Sequence, residues 1–366
     1  MKNKIIIFMP TIDIGGVEKN FFIISNDLSK KFNNISVISL SNEAKKKLNK
    51  KIKFIGPKTN IFSNLSRRLK FFISLYYLVS QVVFEKNVLV LCFQANMYCV
   101  FISKLFGAKV ILRSNSSPAG WSKNMFKKIM YKLGFNLSNG IIVNSRKFQR
   151  QLKDRFGVKA TCIYNPLNYK EIIHLSKKKI KLNFFDKKTL NIISVARFED
   201  QKDHLTLLQA INLIKNKINV KLLLIGNGSK EYMIKEYIKK KKLEQNIKII
   251  KNIKNPFPYI IKSDVLILSS IYEGLPNILI ETIALNRFII SSNCPTGPSE
   301  ILEGGKLGIL FKVKNYNELG NKILFYDKNR KQLKDKIILA KKSLFKYDYK
   351  NNLNKYSGYI DSFLNI

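Results

Sequence analysis

The sequence predicts an α/β protein: two Rossmann-like domains, each a doubly wound parallel sheet, facing a cleft. Three observations predict it. Short β-rich runs alternate with helix-length segments, the pattern of parallel strands joined by crossover helices. The chain has 366 residues, which at roughly 150 per domain suits two domains. A polar, lysine-rich stretch at 169–188 interrupts the periodicity near the middle.

Taken in order, the first series of strands falls at 4–9, 35–40, 51–55, 88–93, 109–113 and 140–144. The second falls at 190–196, 220–225, 247–251, 265–269, 288–292 and 308–311. The stretch 316–363 reads as mostly helical, and its end, 346–366, is expected to cross back and brace the first domain. The expected limits are therefore 1–170 for the first domain, 171–188 for a linker and 189–345 for the second domain. Open α/β sheets bind ligands outside the carboxyl ends of their strands, so the residues just past each strand are where chemistry is sought.

A hydrophobic content of 46% supplies a core for each domain and excludes a disordered or fibrous chain. Cys92, Cys99, Cys162 and Cys294 share no CxxC spacing. With only His174 and His204 beside them they cannot build a zinc site of ordinary spacing, and they read as reduced core thiols. The apolar run 5–10, after Lys2 and Lys4 and before Asp13, is too brief for a signal peptide, so a cytoplasmic location is expected. No run reaches the roughly 20 apolar residues of a membrane span. The nearest, 71–84 and 88–106, are short or interrupted by Gln94, Asn96 and Lys104.

Sixty-six basic residues against 24 acidic ones give +42, a value that on charge alone invites a nucleic-acid partner. Nine of the 66 are Arg and 57 are Lys, in a chain also rich in Ile and Asn, so codon bias accounts for part of the excess. Residues 1–180 hold 33 basic and 7 acidic residues (+26), and 181–366 hold 33 and 17 (+16). The first half is thus the one that faces a polyanion. Its clusters at 45–53, 67–70, 123–132 and 146–159 alternate with aromatic and aliphatic residues, a pattern suited to anionic headgroups.

The strongest constellation is Tyr272-Glu273-Gly274-Leu275-Pro276-Asn277-Ile278-Leu279-Ile280-Glu281, directly after the strand at 265–269. Gly274 permits a tight turn and Pro276 suits the first position of a helix. Glu273 then lies in the loop, Glu281 lies roughly 7.5 Å along the helix axis from Pro276, and free amides of the helix start lie between them. A sugar held by Glu273, a pyrophosphate at the helix start and a ribose held by Glu281 fit that spacing. Glu281 sits among Leu279, Ile280, Ile283, Ala284 and Leu285, so its carboxylate needs a partner or a ligand. A helix dipole of about 0.3–1 kcal/mol cannot by itself hold a pyrophosphate, and Arg197 and Lys202, after the strand at 190–196, supply cations.

These residues carry a resemblance to the GT-B glycosyltransferases of family 4. The pairs Arg197 with Lys202 and Glu273 with Glu281 match that family's two signature motifs in order and separation. Ile225-Gly226-Asn227-Gly228 resembles its glycine turn, Asn252-Ile253 its base-contacting loop, and Ile163-Tyr164-Asn165-Pro166 the segment closing the first domain. Ile14-Gly15-Gly16-Val17-Glu18-Lys19 resembles the first-domain glycine loop, and Cys294-Pro295-Thr296-Gly297-Pro298-Ser299-Glu300 resembles a stretch of bacterial transferases that add N-acetylhexosamine to lipid-diphosphate-linked or surface glycans. The likeness covers almost the whole chain and is strongest over 190–305.

What the resemblance implies is a retaining enzyme that moves a sugar, N-acetylhexosamine, from a UDP-sugar to a bacterial surface or lipid-linked glycan. A hexosyltransferase of lipopolysaccharide or capsule synthesis is the alternative. Catalysis falls to Glu273, Arg197 and Lys202; Gly15, Gly16, Gly226, Asn252, Ile253, Gly274, Leu275, Pro276, Asn277, Glu281, Thr296 and Gly297 hold the donor. No Asp-x-Asp occurs, so no metal is expected, and no cofactor beyond the nucleotide sugar. The loop Arg113-Ser114-Asn115-Ser116-Ser117-Pro118 lacks the His that many members carry near the reacting sugar, which leaves Arg113 and Asn115 to orient the acceptor. The expected place of work is an anionic membrane surface on its cytoplasmic side. A nucleic-acid binder would explain the charge and nothing else, since no recognised module occurs and the glutamate pair would repel phosphates. A nucleotide-sugar epimerase would need cleft acids and bases that two histidines hardly supply.

Overall fold

The computed structural model describes residues 3–12, 15–59, 61–62, 64–115 and 124–365. The chain divides into two compact units, Met1–Pro166 with Tyr349–Ile366, and Leu167–Asp348.

In the first unit β1 (Lys4–Phe8), β2 (Ile35–Ile38), β3 (Lys53–Ile55), β4 (Val88–Cys92), β5 (Lys109–Ser114), β6 (Gly140–Val143) and β7 (Thr161–Cys162) form one sheet in the order β3-β2-β1-β4-β5-β6-β7. Every pairing is parallel. The central strands are buried on both faces, which is why they read as continuous apolar runs. β7 has two residues and no pattern of its own, so the sequence did not announce it. The crossovers are α1 (Gly16–Lys31), α2 (Glu43–Lys47), α3 (Arg67–Val82), α4 (Asn96–Leu105), α5 (Met125–Leu137) and α6 (Arg146–Phe156). Ser66, Asn124 and Ser145 begin α3, α5 and α6 by accepting from the amides of Leu69, Lys127 and Phe148, and Gly157 ends α6 at φ 70°. Leu78, Val100, Phe135 and Leu152 place α3 to α6 on one face of the sheet.

In the second unit β8 (Leu190–Val195), β9 (Val220–Ile225), β10 (Ile247–Ile250), β11 (Val265–Leu268), β12 (Phe288–Ser292) and β13 (Ile309–Phe311) form a parallel sheet ordered β10-β9-β8-β11-β12-β13. Its helices are α7 (Tyr169–Ser176), α8 (His204–Ile214), α9 (Glu231–Lys240), α10 (Phe257–Ile260), α11 (Asn277–Ala284), α12 (Pro298–Ile301), α13 (Tyr316–Lys328) and α14 (Lys334–Lys342). The stretch expected as a linker at 171–188 begins inside α7, which Asn168 caps and the Asn255 amide holds through the Leu175 carbonyl at 2.8 Å. Its lysines hide a short buried face at Ile172 and Ser176. The unit's two ends lie side by side, with the Leu167 amide donating to the Tyr347 carbonyl at 2.9 Å.

The chain then returns as α15 (Tyr349–Leu364) to the first unit. Leu353, Tyr356 and Ile360 pack there with Phe21, Ile24 and Leu28 of α1, on the face of the sheet opposite α3 to α6. Two backbone ties finish the join: Lys109 Nζ donates to the Phe363 carbonyl at 2.9 Å and Asn3 Nδ2 to that of Leu364 at 2.7 Å. Cys92, Cys99 and Cys294 are buried and Cys162 half-buried, all as free thiols.

Because Ile360 is fully buried against α1 and the sheet, Ile360→Ala leaves a cavity there. It should cost about 2–5 kcal/mol, read as a lower unfolding temperature with earlier proteolytic release of α15. An unchanged unfolding temperature would show that α15 is not part of the first unit's core.

Candidate active site

The loops that carry the expected donor residues of the second unit all leave the carboxyl ends of its strands. Arg197 and Lys202 follow β8, Gly226 follows β9, Asn252 and Ile253 follow β10, Glu273 follows β11, and Thr296 and Gly297 follow β12. Strand order reverses between β8 and β11, the point at which such sheets open a crevice. One charged residue from each side of that point meets the other. Lys202 Nζ lies 2.5 Å from Glu273 Oε1.

Glu273 is 6% exposed, and a carboxylate so buried persists only with partners. Ser270 Oγ donates to the same Oε1 at 2.6 Å, while the Glu273 carbonyl accepts from Thr296 Oγ1. Ser292 Oγ holds the Ser270 carbonyl at 2.6 Å, and Ser269 Oγ holds that of Lys202 at 2.9 Å. Gln201 completes the frame from the β8 side, its amide Nε2 on the Tyr272 carbonyl and its own carbonyl accepting from the Ile271 amide, both at 2.8 Å. None of these serines, nor Gln201, was picked out in the sequence. Their signal was the run of small hydroxyl residues at the ends of β11 and β12.

Gly297 fixes the turn from the other side. It has φ +78°, and a Cβ there would lie 2.3 Å from the Gly274 carbonyl oxygen and 2.6 Å from Pro276 Cδ. Gly274 itself does not use positive φ. Pro276 stands one residue earlier than expected, as the extended N-cap of α11 at φ −70°, ψ 107°, so the helix begins at Asn277 with no side chain capping it. Glu281, on that helix, is buried together with Leu279, Ile280 and Ile283. Leu275 is buried in the turn between them.

Arg197 is exposed, and its guanidinium has no ion pair or hydrogen bond among the described residues. Gly226 is required by packing, since a Cβ would lie 2.0 Å from the Ala196 carbonyl oxygen. That close approach lets the Phe198 amide reach the Asn227 carbonyl at 2.9 Å and ties the loops after β8 and β9 together. Glu199 strengthens the tie by accepting from Ser229 through both its oxygens. Asn252, at φ 57°, and Asn227 stand exposed with their side chains 3.4 Å apart. Ile253 beside them is half-buried.

Some expected contacts are placed differently. Thr296 is wholly buried and its hydroxyl braces the Glu273 loop, so it is not open to a donor. Arg113 and Asn115 are likewise engaged within the first unit. Arg113 is 1% exposed, stacked near Phe93 and Tyr356, with Nε on the Tyr356 hydroxyl at 2.9 Å and a terminal nitrogen on Asn165 Oδ1 at 2.8 Å. Asn115 accepts from Arg113 and donates to the Phe93 carbonyl at 3.0 Å. The guanidinium therefore joins β5 to α15, and it is not open to an acceptor. Gly15 and Gly16 remain exposed at the start of α1, Gly15 extended at φ −175°. Thr11, just past β1, is anchored through Gln94 Oε1, which accepts its amide at 3.2 Å and its hydroxyl at 2.9 Å. Asp13, Ile14, the loop 116–118 and the aromatic stretch around Trp121 lie outside the described residues.

His174 is exposed on α7; His204 is buried at the start of α8, edge-on to Phe198 with Nε2 unpartnered. Burial, helped by the charge of Lys202, pushes His204 down to about 4, so it is neutral near pH 7. Burial and then the Glu273 carboxylate push the Cys294 thiol up to about 12. Among the described residues no three His, Cys, Asp or Glu side chains gather as metal ligands would.

Residues 176–343, a little under half of the chain, match the family described as glycosyl transferases group 1. An uncharacterized glycosyltransferase of Methanocaldococcus jannaschii is 28% identical over 217 residues, 56% of this chain, and the chain spans about half of that relative's length (53%). A Campylobacter jejuni protein, N-acetylgalactosamine-N,N'-diacetylbacillosaminyl-diphospho-undecaprenol 4-alpha-N-acetylgalactosaminyltransferase, is 26% identical over 71% of this chain and 73% of its own. Among solved structures, Anabaena HepE in complex with UDP and glucose superposes with a TM-score of 0.79 over 98% of this chain and all of its own, at 15% identity. The architecture is thus the GT-B one that the sequence motifs imply.

Two outcomes follow from the geometry. Below pH 6.5 the unfolded chain protonates His204 while the folded chain resists until about 4, so stability should fall as pH drops through that window. The slope contributed is at most about 1.4 kcal/mol per pH unit, and His204→Phe should flatten the pH dependence of the denaturation midpoint; equal slopes would contradict the buried neutral imidazole. Gly297→Ala combines a disfavoured φ with a backbone collision. Strain of about 1–3 kcal/mol should lower the unfolding temperature, and unperturbed melting would mean that the Gly274 turn yields freely.

Proposed function

We propose that the chain moves an N-acetylhexosamine from a UDP-sugar to a growing bacterial surface or lipid-linked glycan, with retention of configuration and without a metal ion. The observation that carries this reading is the Lys202–Glu273 pair at the switch point, flanked by the unpaired Arg197 and backed by the buried Glu281 of an uncapped helix. An ammonium has three donors. One goes to Glu273, which leaves Lys202 able to turn others to a phosphate, and Arg197 adds an always-charged fork.

In this scheme Arg197 and Lys202 take the diphosphate charge that builds up as the bond from the sugar's anomeric carbon to phosphate oxygen breaks. The acceptor oxygen bonds to the same carbon from the same face, and its proton passes to the departing phosphate, so no protein base is needed. That accords with a site whose one nearby imidazole is buried. Glu273 receives a sugar hydroxyl and Glu281 the ribose. The Campylobacter relative's name supports N-acetylhexosamine and a diphospho-undecaprenol acceptor. UDP with glucose on HepE supports the second reading, a hexosyltransferase of surface polysaccharide synthesis. A lipid-linked acceptor, and the +24 carried by 31 basic and 7 acidic residues of the first unit, support work at an anionic membrane surface on the cytoplasmic side.

A screen of UDP-sugars against lipid-linked acceptors, read as UDP release and product mass, tests it. Glu281→Gln and Arg197→Ala should each lower kcat/KM roughly ten- to hundredfold with the fold intact, and wild-type activity should survive EDTA. Near-wild-type turnover in either variant, or a strict requirement for added Mn²⁺, would reject the assigned roles.

A further inference from the structure

Among the described residues, thirteen of the twenty-three large apolar side chains that stand exposed fall between Leu69 and Leu137. They are ordered. On α3 the exposed Leu69, Phe72 and Tyr76 recur at intervals of three and four, while Leu75, Leu78 and Val82 face the core, so this helix is apolar on both sides. On α5 Phe126, Ile129 and Leu133 repeat the same spacing, and only Gly134 and Phe135 are buried. Tyr98 and Leu105 on α4, seven apart, lie between them.

The three stripes form one surface. The rings of Phe72 and Tyr98 lie 6.0 Å apart, and Gly134 sits so close to Met97 that a Cβ would come within 2.5 Å of its sulfur. All three helices cover the same face of the first sheet. A contiguous exposed apolar patch of this extent marks an interaction site. The charge around it names the partner: residues 44–153 contain 22 basic side chains and one acidic one, Glu85, which is paired with the buried Lys4. A second copy of the chain would set one basic rim against another, whereas an anionic bilayer offers both an apolar interior and opposite charge.

We infer that the outer face of α3, α4 and α5 is a membrane-docking surface: Phe72, Tyr76, Phe126 and Ile129 enter the acyl boundary of an anionic leaflet while Arg67, Arg68, Lys70, Lys127, Lys128 and Lys132 contact its headgroups. It deepens, and rests on, the reading of a lipid-linked acceptor. No described helix is long and apolar enough to cross the bilayer.

The test uses the full chain in sedimentation with vesicles of neutral phosphatidylcholine alone or with 30% phosphatidylglycerol added, at about 0.1 M and about 0.5 M salt. Wild type should bind the anionic vesicles at least tenfold more tightly than the neutral ones and weaken several-fold at high salt. Phe72→Ser with Phe126→Ser and Ile129→Ser should reduce binding tenfold or more at both salt concentrations. Lys127→Glu with Lys128→Glu and Lys132→Glu should act mainly at low salt. UDP binding by calorimetry should stay within twofold in both sets, which shows them folded and keeps the two readings apart: absent UDP binding with intact vesicle binding overturns the donor assignment alone. Undiminished vesicle binding by the serine variant overturns the docking surface, as does a concentration-dependent dimer that this variant abolishes in a chain indifferent to vesicles.

Discussion

The ion pair between Lys202 and Glu273 is the constraint on which the second unit's site depends. It joins the two strands at which the sheet's order reverses, and an open sheet has no backbone ladder past its strand ends to hold them at that point. Burying the Glu273 carboxylate carries a desolvation cost of several kcal/mol that is offset only when hydrogen bonds from its partners satisfy it. Ser270, Thr296 and Ser292 provide those bonds, directly or through the loop. Gly297 and Gly226 then allow backbone to approach backbone where any side chain would collide. Loss of the Lys202 charge would leave the Glu273 carboxylate buried with the Ser270 hydroxyl and no cation, so the frame depends on the pair.

The first unit solves the same problem with neutral groups. Its order reverses between β1 and β4, and there Gln94 reaches from one strand end to Thr11 at the other. The charged residue of that sheet end, Arg113, is turned inward to Tyr356 and Asn165 and secures the returning helix. This follows from what a guanidinium offers: a planar fork that stacks on rings and serves several acceptors at once. Two further arginines are engaged within the second unit. Arg287 is half-buried, burial pulling its pKa below the usual arginine range, and Arg330 engages Asp327 and Asp264. Most of the exposed cations are lysines, flexible hydrated charges, with Arg67, Arg68, Arg146, Arg150, Arg155 and Arg197 among them. The composition bias toward Lys is therefore not uniform in effect; it becomes directional only where acidic residues are missing beside exposed apolar stripes.

Elements with strong periodicity were legible in the sequence. The central strands of both sheets lie within a residue or two of the expected positions, because strands buried on both faces must be apolar throughout. The helix of α7 was not, since its buried face is two residues wide and lysines surround it. β7 was too short to carry any pattern. The spacing of Glu273 and Glu281, the cations after β8 and the glycines were readable because each imposes a local requirement of charge or room.

What the sequence by itself determined is thus the class of fold, the strands, and the residue types gathered in the second unit's loops, all of which rest on local spacing. Only the tertiary structure decided which of those residues remain open. Arg113 and Thr296 looked like ligand contacts and are consumed by partners 243 and 23 positions away in the chain, a separation that no periodicity encodes. The same holds for the stripes of α3, α4 and α5, whose spacing alone suits a core as well as a surface. Packing filled one side of each helix and left the other to solvent, because a single sheet can cover only one face of the layer laid upon it.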